Sequence, residues 1–338
     1  MVSMRDKIHI VFSPDENYAV HAGVAVMSIL QHASKPGRFH FYFLQGDRKL
    51  SDRSRAKFDE IIRANGAALD YVEVDVRPLA GFANMIPNHV TSATFYRMMI
   101  PVLLPQLERC LYLDCDVLAL GDLAQLWDEA NSDTSLGAVA DCFVERGESK
   151  KYEFIRRYFN SGVLLMNLRR WRERERVKAC LQLSADPKMH ERFADQDVFN
   201  VVFCDDVHFL HPRWNIQTGQ KPLARTKELD QEWREILQAP RLAHFTSPSK
   251  PGNLGMTHSW SLEYWRMLAK TPWGREMPDF SKKILMARLY RLKCVISKTL
   301  RSILDVRMNL KARRCRLILF GRILVDRKSR KQPQEIQA

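Results

Sequence analysis

The sequence predicts an α/β fold in which an open sheet carries helices on both faces. Strand-like apolar runs and helix-like amphipathic runs alternate along the first half of the chain, which is typical of a parallel sheet. The length of 338 residues and the hydrophobic content of 46% fit one large α/β domain or two smaller ones. In addition, one apolar run, Arg109 to Leu113, ends at two aspartates, as strands of such sheets do where ligands bind.

The first predicted unit is a strand, a polar loop and a helix. The strand is Ile8 to Phe12 and the helix covers residues 19–31. The loop contains Asp15, Asn17 and Tyr18, which suit a nucleoside because acceptors, donors and a ring for stacking stand at the carboxyl end of a strand. Helix capping by Asp15 or Asn17 explains the same residues. The chain has neither a Gly-x-Gly-x-x-Gly run nor a Walker loop, which disfavours dinucleotide and simple ATP sites.

The alternation continues to residue 140. The predicted elements, in order, are a strand at Phe39 to Leu44, a helix at Ser51 to Asn65 ended by Gly66, a strand at Leu69 to Val74, a helix at Thr91 to Ile100 stopped by Pro101, the strand at Arg109 to Leu113, a helix beginning at Leu123 to Trp127, and a strand at Leu136 to Ala140. The fourth of these brings Arg97 toward the aspartates. There Arg97 can neutralise a phosphate or orient a carboxylate. The alternative is an ordinary surface or ion-pair arginine.

Asp114 and Asp116 interrupt an otherwise apolar stretch. Two carboxylates this close are tolerable when a cation lies between them, and oxygen ligands favour Mn²⁺ or Mg²⁺. Such triplets also occur in surface turns, in calcium loops and in phosphatase loops. Because the flanking residues are mostly apolar, burial without a partner would cost several kcal/mol, which favours the metal site.

A second informative stretch runs from Tyr158 to Leu168. Asn160, Gly162 and Asn167 bracket an apolar strand, which indicates a backbone approach to a ligand at the glycine and amides that address hydroxyl groups. An ordinary Asn-Ser-Gly turn is the alternative. A charged helix on the outside of the molecule, Trp171 to Ser184, is predicted to follow.

The last part of the predicted domain supplies further polar side chains. Asp195, Gln196 and Asp197 open a helix, for which capping is the plain explanation. Strands are predicted at Val207 to Leu210 and at Arg241 to Phe245, with the loop Trp214-Asn215 between them. A lone histidine after a strand is usually structural, but His244 can complete a metal shell with the two aspartates, and Lys250 can then meet a diphosphate.

The basic charge belongs to the tail. Residues 281–331 hold 17 Lys and Arg against two Asp, while residues 1–280 carry 36 charges of each sign. Apolar side chains recur there at helical spacing: Leu285, Leu289, Leu292, Ile296, Leu300 and Ile303. This pattern predicts a helix lying on an anionic membrane. A helix packed on the domain is the alternative, and RNA binding is disfavoured because Tyr290 and Phe320 are the only aromatic residues in the region.

The cellular compartment follows from cysteine usage and the N-terminus. Seven scattered cysteines without a Cys-x-x-Cys pair favour a reducing compartment. The apolar run at Ile8 to Phe12 is too short for a signal-peptide core or an anchor, and Cys315 to Val325 is too short to span a bilayer. We therefore expect a cytoplasmic protein that associates peripherally with the membrane.

These stretches together resemble glycosyltransferase family 8, most closely its bacterial lipopolysaccharide α-galactosyl- and α-glucosyltransferases. The resemblance covers residues 8 to about 275 in the family's order and spacing. It rests on Phe12 to Ala19, Arg97, Leu113 to Asp116, Phe159 to Leu168, Asp195 to Asp197, and His244 to Lys250. The chain departs from the family at Pro14 and Glu16, and at Gly252, which follows Lys-Pro where a Trp is frequent.

The resemblance implies a GT-A fold with a mixed sheet, a UDP-hexose donor, Mn²⁺ or Mg²⁺ dependence, and retention at the anomeric carbon. It implies a glycolipid or oligosaccharide acceptor, such as the lipopolysaccharide core, and no nucleic acid. Together with the change in composition, it divides the chain into a catalytic domain, residues 1–279, and a basic amphipathic helical tail, residues 280–338.

The resemblance also implies roles for individual residues. The metal ligands are Asp114, Asp116 and His244. The donor-binding residues are Asp15, Asn17 and Tyr18 at the uridine and ribose, with Ser13 and Cys115 beside them; Lys250 and Gly252 at the diphosphate, with Ser247; and Arg97, Asp141, Asn160, Asp195 and Gln196 at the sugar.

The position of a retaining nucleophile holds Gln196, an amide. Because an amide is a poor nucleophile, we favour a front-side route in which the acceptor enters as UDP leaves, with Asp195 as the alternative nucleophile. Three other functions share parts of this pattern: a non-catalytic sugar-nucleotide-binding protein, a metal-dependent phosphoryl-transfer enzyme, and a family 8 enzyme that acts on another saccharide or a protein acceptor.

Overall fold

The computed structural model describes most of the first 277 residues and four positions of the tail. The described residues are 6–79, 92–130, 133–142, 144, 154–190, 195–217, 235–246, 250–251, 260–277, 285, 289, 292 and 296. The chain divides into two units, Met1–Phe280 and Ser281–Ala338.

Among the described residues, seven strands form the central sheet and three short strands form a second one. The strands are Ile8–Phe12 (β1), Phe39–Gln45 (β2), Ala68–Glu73 (β3), Arg109–Leu113 (β4), Val117–Ala119 (β5), Leu136–Ala140 (β6), Phe159–Asn167 (β7), Val207–Phe209 (β8), Ile216–Gln217 (β9) and Leu242–His244 (β10). The order in the large sheet is β3-β2-β1-β4-β7-β6-β8, and in the small sheet β5-β10-β9. Each strand predicted from the sequence is present, with ends that agree within about two residues.

The large sheet is mixed. Its first half, β3-β2-β1-β4, is parallel, as the alternation of strands and helices predicts. The expectation of an all-parallel sheet is wrong for the second half, because β7 pairs antiparallel with both β4 and β6. The mixed arrangement agrees with the expected GT-A fold.

An irregularity in the large sheet lies beside the aspartates. The pairing of β6 with β7 skips from Leu164 opposite Ala138 to Asn160 opposite Val139. Three residues of β7, Ser161 to Val163, therefore have no pairing partner on β6. Such bulges redirect side chains next to functional sites, and this one follows Asn160 directly and includes Ser161 and Gly162 of the stretch that the sequence singles out.

Helices cover both faces of the large sheet. They are Ala19–His32 (α1), Asp52–Ala64 (α2), Ile100–Leu103 (α3), Ala124–Asp128 (α4), Leu168–Glu173 (α5), Arg176–Ser184 (α6), Asp195–Val202 (α7), Ser261–Ala269 (α8) and Pro272–Glu276 (α9). One hydrophobic cluster packs α1 and α2 against one face of β1. A second cluster packs α5, α6 and α7 on the side of the opposite face of β1. The capped helix predicted after Ser51 is confirmed, since the Ser51 side chain accepts a hydrogen bond from Ser54 N.

The helix predicted at Thr91 to Ile100 differs from the structure. Ser92–Met99 is a 3₁₀-helix, and α3 follows it directly. Pro101 stands in the first turn of α3 rather than ending a helix. A proline is tolerated there because the first turn does not need its missing N–H group.

The predicted outer helix at Trp171 to Ser184 is two helices. α5 begins at Leu168 and is capped by Asn167. The helical conformation is interrupted at Glu175, directly before α6, where φ is 48°. Trp171 is fully buried against Phe199 and Phe203. The high charge of this stretch concealed its buried face.

The four described tail residues are helical, and their apolar side chains are about half exposed. The exposed fractions are 54% for Leu285, 51% for Leu289, 56% for Leu292 and 49% for Ile296. Within the parts of the chain that the structure describes, no helix is long and apolar enough to cross a bilayer. The prediction for residues 297–338 lies outside the described residues.

Candidate active site

The two sheets bring together three side chains that are distant in sequence. Asp114 follows β4, and Asp116 precedes β5 directly. β5 pairs with β10 so that Val117 lies opposite His244, and Phe245 N donates to Asp116 O at 2.9 Å. The sequence predicts these three residues as one cluster, and one potential ligand atom from each lies within 4.8 Å of the others.

The spacing of these ligand atoms suits a divalent cation. His244 Nε2 is 3.6 Å from Asp114 Oδ2 and 3.3 Å from Asp116 Oδ1. Neighbouring ligands of an octahedral ion at about 2.1 Å are about 3.0 Å apart, so a small contraction would complete the shell. Two carboxylates with one imidazole match the preferences of Mn²⁺, and Mg²⁺ accepts the oxygens.

Gly162 has no side chain, and the space that a side chain would fill is occupied by His244 and Asp114. A Cβ atom at this position would collide with the His244 ring and lie 2.5 Å from Asp114 Oδ2. The backbone is also fixed there, since Gly162 O accepts from Asp114 N at 2.8 Å. The sequence predicts a close approach at this glycine, and the group that approaches is the pair of candidate metal ligands.

Replacing Gly162 with alanine is therefore expected to weaken Mn²⁺ binding about tenfold without removing a ligand. The added methyl group displaces His244 and Asp114 from one another. Calorimetric titration with Mn²⁺ measures the effect. The matched control is Gly137→Ala in the same sheet, where the nearest atom to the new Cβ is 3.3 Å away. Unchanged Mn²⁺ affinity in the Gly162 variant would contradict this account.

Lys250 lies against the cluster. Its Nζ is 2.5 Å from Asp116 Oδ2 and donates to Phe245 O at 2.7 Å. Burial acts to raise the pKa of Asp116, but His244 and Lys250 outweigh burial and hold the pKa well below its usual range. Asp116 is therefore ionised at neutral pH, as a metal ligand has to be.

Arg97 joins the cluster to a second buried acid. Its Nη2 is 3.0 Å from Asp114 Oδ1, and its Nε is 3.2 Å from Asp195 Oδ2. The Nε hydrogen is donated to Thr94 O at 2.9 Å, so the contact with Asp195 is one of charge. Burial raises the pKa of Asp195 to about 7, although Arg97 acts in the opposite direction. Arg97 is not a surface arginine, because only 4% of it is exposed, but the alternative of an ion-pair arginine is confirmed by its contacts with Asp114 and Asp195.

A network of amides lies next to the cluster. Gln196 Oε1 accepts from Asn160 Nδ2 at 3.1 Å and from Ser161 N at 3.0 Å, and Gln196 Nε2 donates to Asp141 Oδ2 at 3.1 Å. Asn160 Nδ2 also reaches Asp141 Oδ2 at 3.3 Å. The structure thus brings together the residues that the sequence assigns to the donor sugar.

The loop after β1 borders the cluster on the other side. Asp15 Oδ1 accepts from Tyr18 N at 3.0 Å, which confirms the capping interpretation for one of its oxygens. Asp15 Oδ2 and Ser13 Oγ are buried and have no hydrogen-bond partner among the residues that the structure describes. Lys250 Nζ is 5.9 Å from the centre of the Tyr18 ring. Burial and the charges of Asp116 and Asp114 raise the pKa of Tyr18 to about 12.

Four other predicted donor residues make no contact described above, and one departure from the family pattern has a structural explanation. Asn17 is exposed. The Cys115 side chain packs in the hydrophobic core, so its thiol is not available to a donor. Ser247 and Gly252 lie outside the described residues. Glu16 accepts from Ser51 N at 2.8 Å and so holds the loop against the start of α2.

The sequence did not assign two residues that contact the cluster. Asn215 lies between Asn160 and His244, and its side chain is hydrogen-bonded to both. Tyr112 donates to Asp114 Oδ1 at 3.0 Å, and its ring lies 4.4 Å from the Arg97 guanidinium. Neither residue carries a signal in the sequence, because Asn215 lies in a predicted loop and aromatic residues such as Tyr112 are common in buried strands.

Comparison with known proteins shows which family and which relatives the chain resembles. The model of the family described as "Glycosyl transferase family 8" matches residues 9–253. General stress protein A of Bacillus subtilis is 28% identical over 279 residues, which cover 80% of this chain and 96% of that protein. Lipopolysaccharide 1,2-glucosyltransferase of Escherichia coli K12 is 25% identical over 298 residues, which cover 84% of each chain.

One solved structure has a fold similar to that of this chain. The galactosyltransferase LgtC, crystallised with donor and acceptor sugar analogues, superimposes with a TM-score of 0.69 at 27% identity, over 82% of this chain and 100% of that one. This likeness confirms the GT-A fold that the sequence predicts. Since the family model also covers well over half of the sequence, the chain belongs to glycosyl transferase family 8.

Proposed function

We propose that this glycosyltransferase moves galactose or glucose from a UDP-sugar to a hydroxyl group of a glycolipid, such as the lipopolysaccharide core, with retention and with Mn²⁺ or Mg²⁺. The meeting of Asp114, Asp116 and His244 beside Lys250 carries the proposal. Three side chains that can hold a cation, next to the ammonium group of Lys250, form a site for a nucleoside diphosphate.

Asp114, Asp116 and His244 would hold the ion. When bound, the ion supplies electrostatic stabilisation of the negative charge that develops on the departing diphosphate. Lys250 adds a second positive charge at the same place, since its Nζ lies against Asp116. No general acid is needed for UDP to leave, because the diphosphate is already a stabilised anion.

The loop after β1 is the proposed nucleoside site. Buried polar atoms are almost always hydrogen-bonded, and Asp15 Oδ2 and Ser13 Oγ, which lack a partner within the described part of the chain, support a bound ligand at this loop. The hydroxyl groups of a ribose can donate to both. Tyr18, half-buried beside Lys250, offers a ring for the base.

The amide network is the proposed site of the hexose. Asp141, Asn160 and Gln196 present a carboxylate and two amides, which bind sugar hydroxyls as donors and acceptors. Arg97, held by Asp114 and Asp195, fixes the side of the pocket that faces the metal ligands.

The surroundings of Gln196 and Asp195 favour the front-side route. The Gln196 oxygen already accepts two hydrogen bonds, and an amide is a poor nucleophile. Asp195 is 3% exposed, and burial raises its pKa to about 7. A carboxyl group that is substantially protonated near neutral pH is a weak nucleophile. We therefore propose that the acceptor hydroxyl attacks from the side on which UDP leaves.

On this route, replacing Gln196 with alanine is expected to lower the rate of transfer only about tenfold, the value of a hydrogen bond or two. Steady-state kinetics with the UDP-sugar measures the loss. A covalent glycosyl adduct on Asp195, detected by mass spectrometry after rapid quenching, would refute the front-side route.

The tail is the proposed membrane contact. Leu285, Leu289, Leu292 and Ile296 are helical and about half exposed, and the surrounding sequence is strongly basic. An amphipathic basic helix binds anionic lipid by burying its apolar stripe. Relatives named lipopolysaccharide glucosyltransferase and galactosyltransferase are consistent with a glycolipid acceptor at the cytoplasmic face of the membrane.

Deleting residues 281–338 is expected to release the protein from anionic vesicles while sparing activity on soluble acceptors. Each apolar side chain of the stripe contributes about 1.5 to 3 kcal/mol when it is fully buried, so loss of the stripe should abolish sedimentation with vesicles. Sedimentation with phosphatidylglycerol vesicles measures binding, and neutral vesicles are the control. Unchanged sedimentation of the shortened protein would end the proposal.

The proposed activity is tested with purified protein, Mn²⁺ and a panel of UDP-sugars against lipid A-core fragments. Release of UDP, coupled to a mass increase of the acceptor by one hexose, is the expected result with UDP-galactose or UDP-glucose. Absence of transfer from either donor would contradict the proposal. Release of inorganic phosphate would indicate a phosphoryl-transfer enzyme instead.

A further inference from the structure

We propose that Asn215 is a positioning residue that holds the His244 ring in the tautomer that a metal ion requires. The inference rests on the proposed metal site and adds a residue to it. Asn215 is fully buried, directly before β9. Because β9 pairs with β10, its side chain is placed between His244 and Asn160.

The direction of each hydrogen bond follows from one backbone group. Gly162 N–H can only donate, and it donates to Asn160 Oδ1 at 3.1 Å. The Asn160 oxygen is thereby identified, and its Nδ2 is left to donate to Gln196 Oε1 at 3.1 Å. Asn215 approaches the same Asn160 oxygen at 2.9 Å and must therefore present its own Nδ2.

The oxygen of Asn215 consequently faces the histidine. Asn215 Oδ1 lies 3.0 Å from His244 Nδ1. An amide oxygen can only accept, so Nδ1 carries a hydrogen. In the neutral ring Nε2 then keeps its lone pair, and Nε2 is the atom that faces Asp114 and Asp116.

This arrangement prepares His244 as a ligand. Metal-binding histidines usually donate their second N–H to a fixed oxygen, which sets the tautomer and the ring orientation. Here the fixed oxygen is Oδ1 of the Asn215 amide, which is oriented by Asn160. Asn160 Nδ2 in turn reaches Asp141 and Gln196. Asn215 therefore connects the candidate metal ligand to the side chains proposed to hold the hexose.

Two substitutions of similar size separate positioning from simple packing. Asn215→Leu removes the oxygen and is expected to weaken Mn²⁺ binding about 10- to 100-fold. Asn215→Asp keeps an acceptor for His244 but loses the donor to Asn160, so Mn²⁺ affinity should stay within about threefold while the KM for the UDP-sugar rises. The control is Asn200→Ala, an equally buried amide that bonds main-chain groups of Phe159 and Gln196; its Mn²⁺ affinity should match the wild type.

Calorimetry with Mn²⁺ gives the affinities, and ¹⁵N NMR of histidine-labelled protein with Mg²⁺ reports the tautomer independently of the variants. The expected spectrum shows a proton on Nδ1 of His244. A proton on Nε2, or a folded Asn215→Leu variant that binds Mn²⁺ as the wild type does, would overturn the inference alone. A wild type that binds no divalent cation would overturn the proposed metal site and this inference together.

Discussion

Replacing Asp116 with asparagine is expected to slow sugar transfer by about 10³-fold. Only 8% of Asp116 is exposed, and both carboxylate oxygens face functional groups: Oδ1 lies 3.3 Å from His244 Nε2, and Oδ2 lies 2.5 Å from Lys250 Nζ. Asparagine keeps the shape but loses the charge, and it turns an amide NH₂ toward one of these cationic positions.

The loss should appear in kcat and should not be restored at high Mn²⁺, because the remaining ligands hold the ion in a different position. Asp70→Asn is the matched control. Asp70 is an acid of the same sheet that pairs with His40 at 2.8 Å, and its replacement should leave transfer unchanged. A rate for the Asp116 variant within about tenfold of the wild-type rate would mean that this carboxylate does not hold the metal, because a tenfold loss corresponds to one ordinary hydrogen bond.

Replacing Lys250 with methionine is expected to lower kcat about 10²-fold. The ammonium group contacts Asp116 and Phe245 O and lies beside Tyr18. A cation held at Asp116 Oδ1 competes with Lys250, which contacts Oδ2, for the charge of the same carboxylate. The displaced ammonium group is then free to meet the diphosphate. Methionine keeps the length of the side chain and removes the charge.

The same variant should bind Mn²⁺ more tightly when no nucleotide is present, because Lys250 no longer neutralises Asp116. Opposite changes in metal affinity and in kcat are a signature that simple loss of structure would not produce. The control is Lys49→Met, an exposed lysine that pairs with Glu73. Weaker Mn²⁺ binding by the Lys250 variant without nucleotide, or an unchanged kcat, would contradict the assigned role.

The features best predicted from the sequence are the ones set by local or repeated patterns. Apolar runs set the strands, and the place of Asp114, Asp116 and His244 at strand ends predicted a shared site. Their meeting depends on the small sheet, in which β5 and β10 pair antiparallel. No local pattern in the sequence specifies that pairing.

Residues that act through other side chains were harder to find. Asn215 is informative only once the hydrogen bonds of Asn160 and His244 are known. The family resemblance placed Cys115 among the donor-binding residues, yet its side chain packs in the core.

The two errors in helices have a common cause. Periodicity predicted one helix at Thr91 to Ile100 and one at Trp171 to Ser184. The structure has a 3₁₀-helix at Ser92–Met99, and it has a break at Glu175. In both places tertiary packing decides the backbone, as for Trp171, whose ring is fully buried and whose Nε1 donates to Ser135 O at 3.0 Å. Propensity is a weak guide in such segments.

The most direct test of this account is calorimetry of the purified protein with Mn²⁺ and UDP, compared with a variant carrying Asp114→Ala, Asp116→Ala and His244→Ala together. The account predicts that UDP binds the wild type with a heat that requires Mn²⁺, and that this heat disappears in the folded triple variant. Equal Mn²⁺-dependent binding by the two proteins, or UDP binding to the wild type that is indifferent to Mn²⁺, would contradict it.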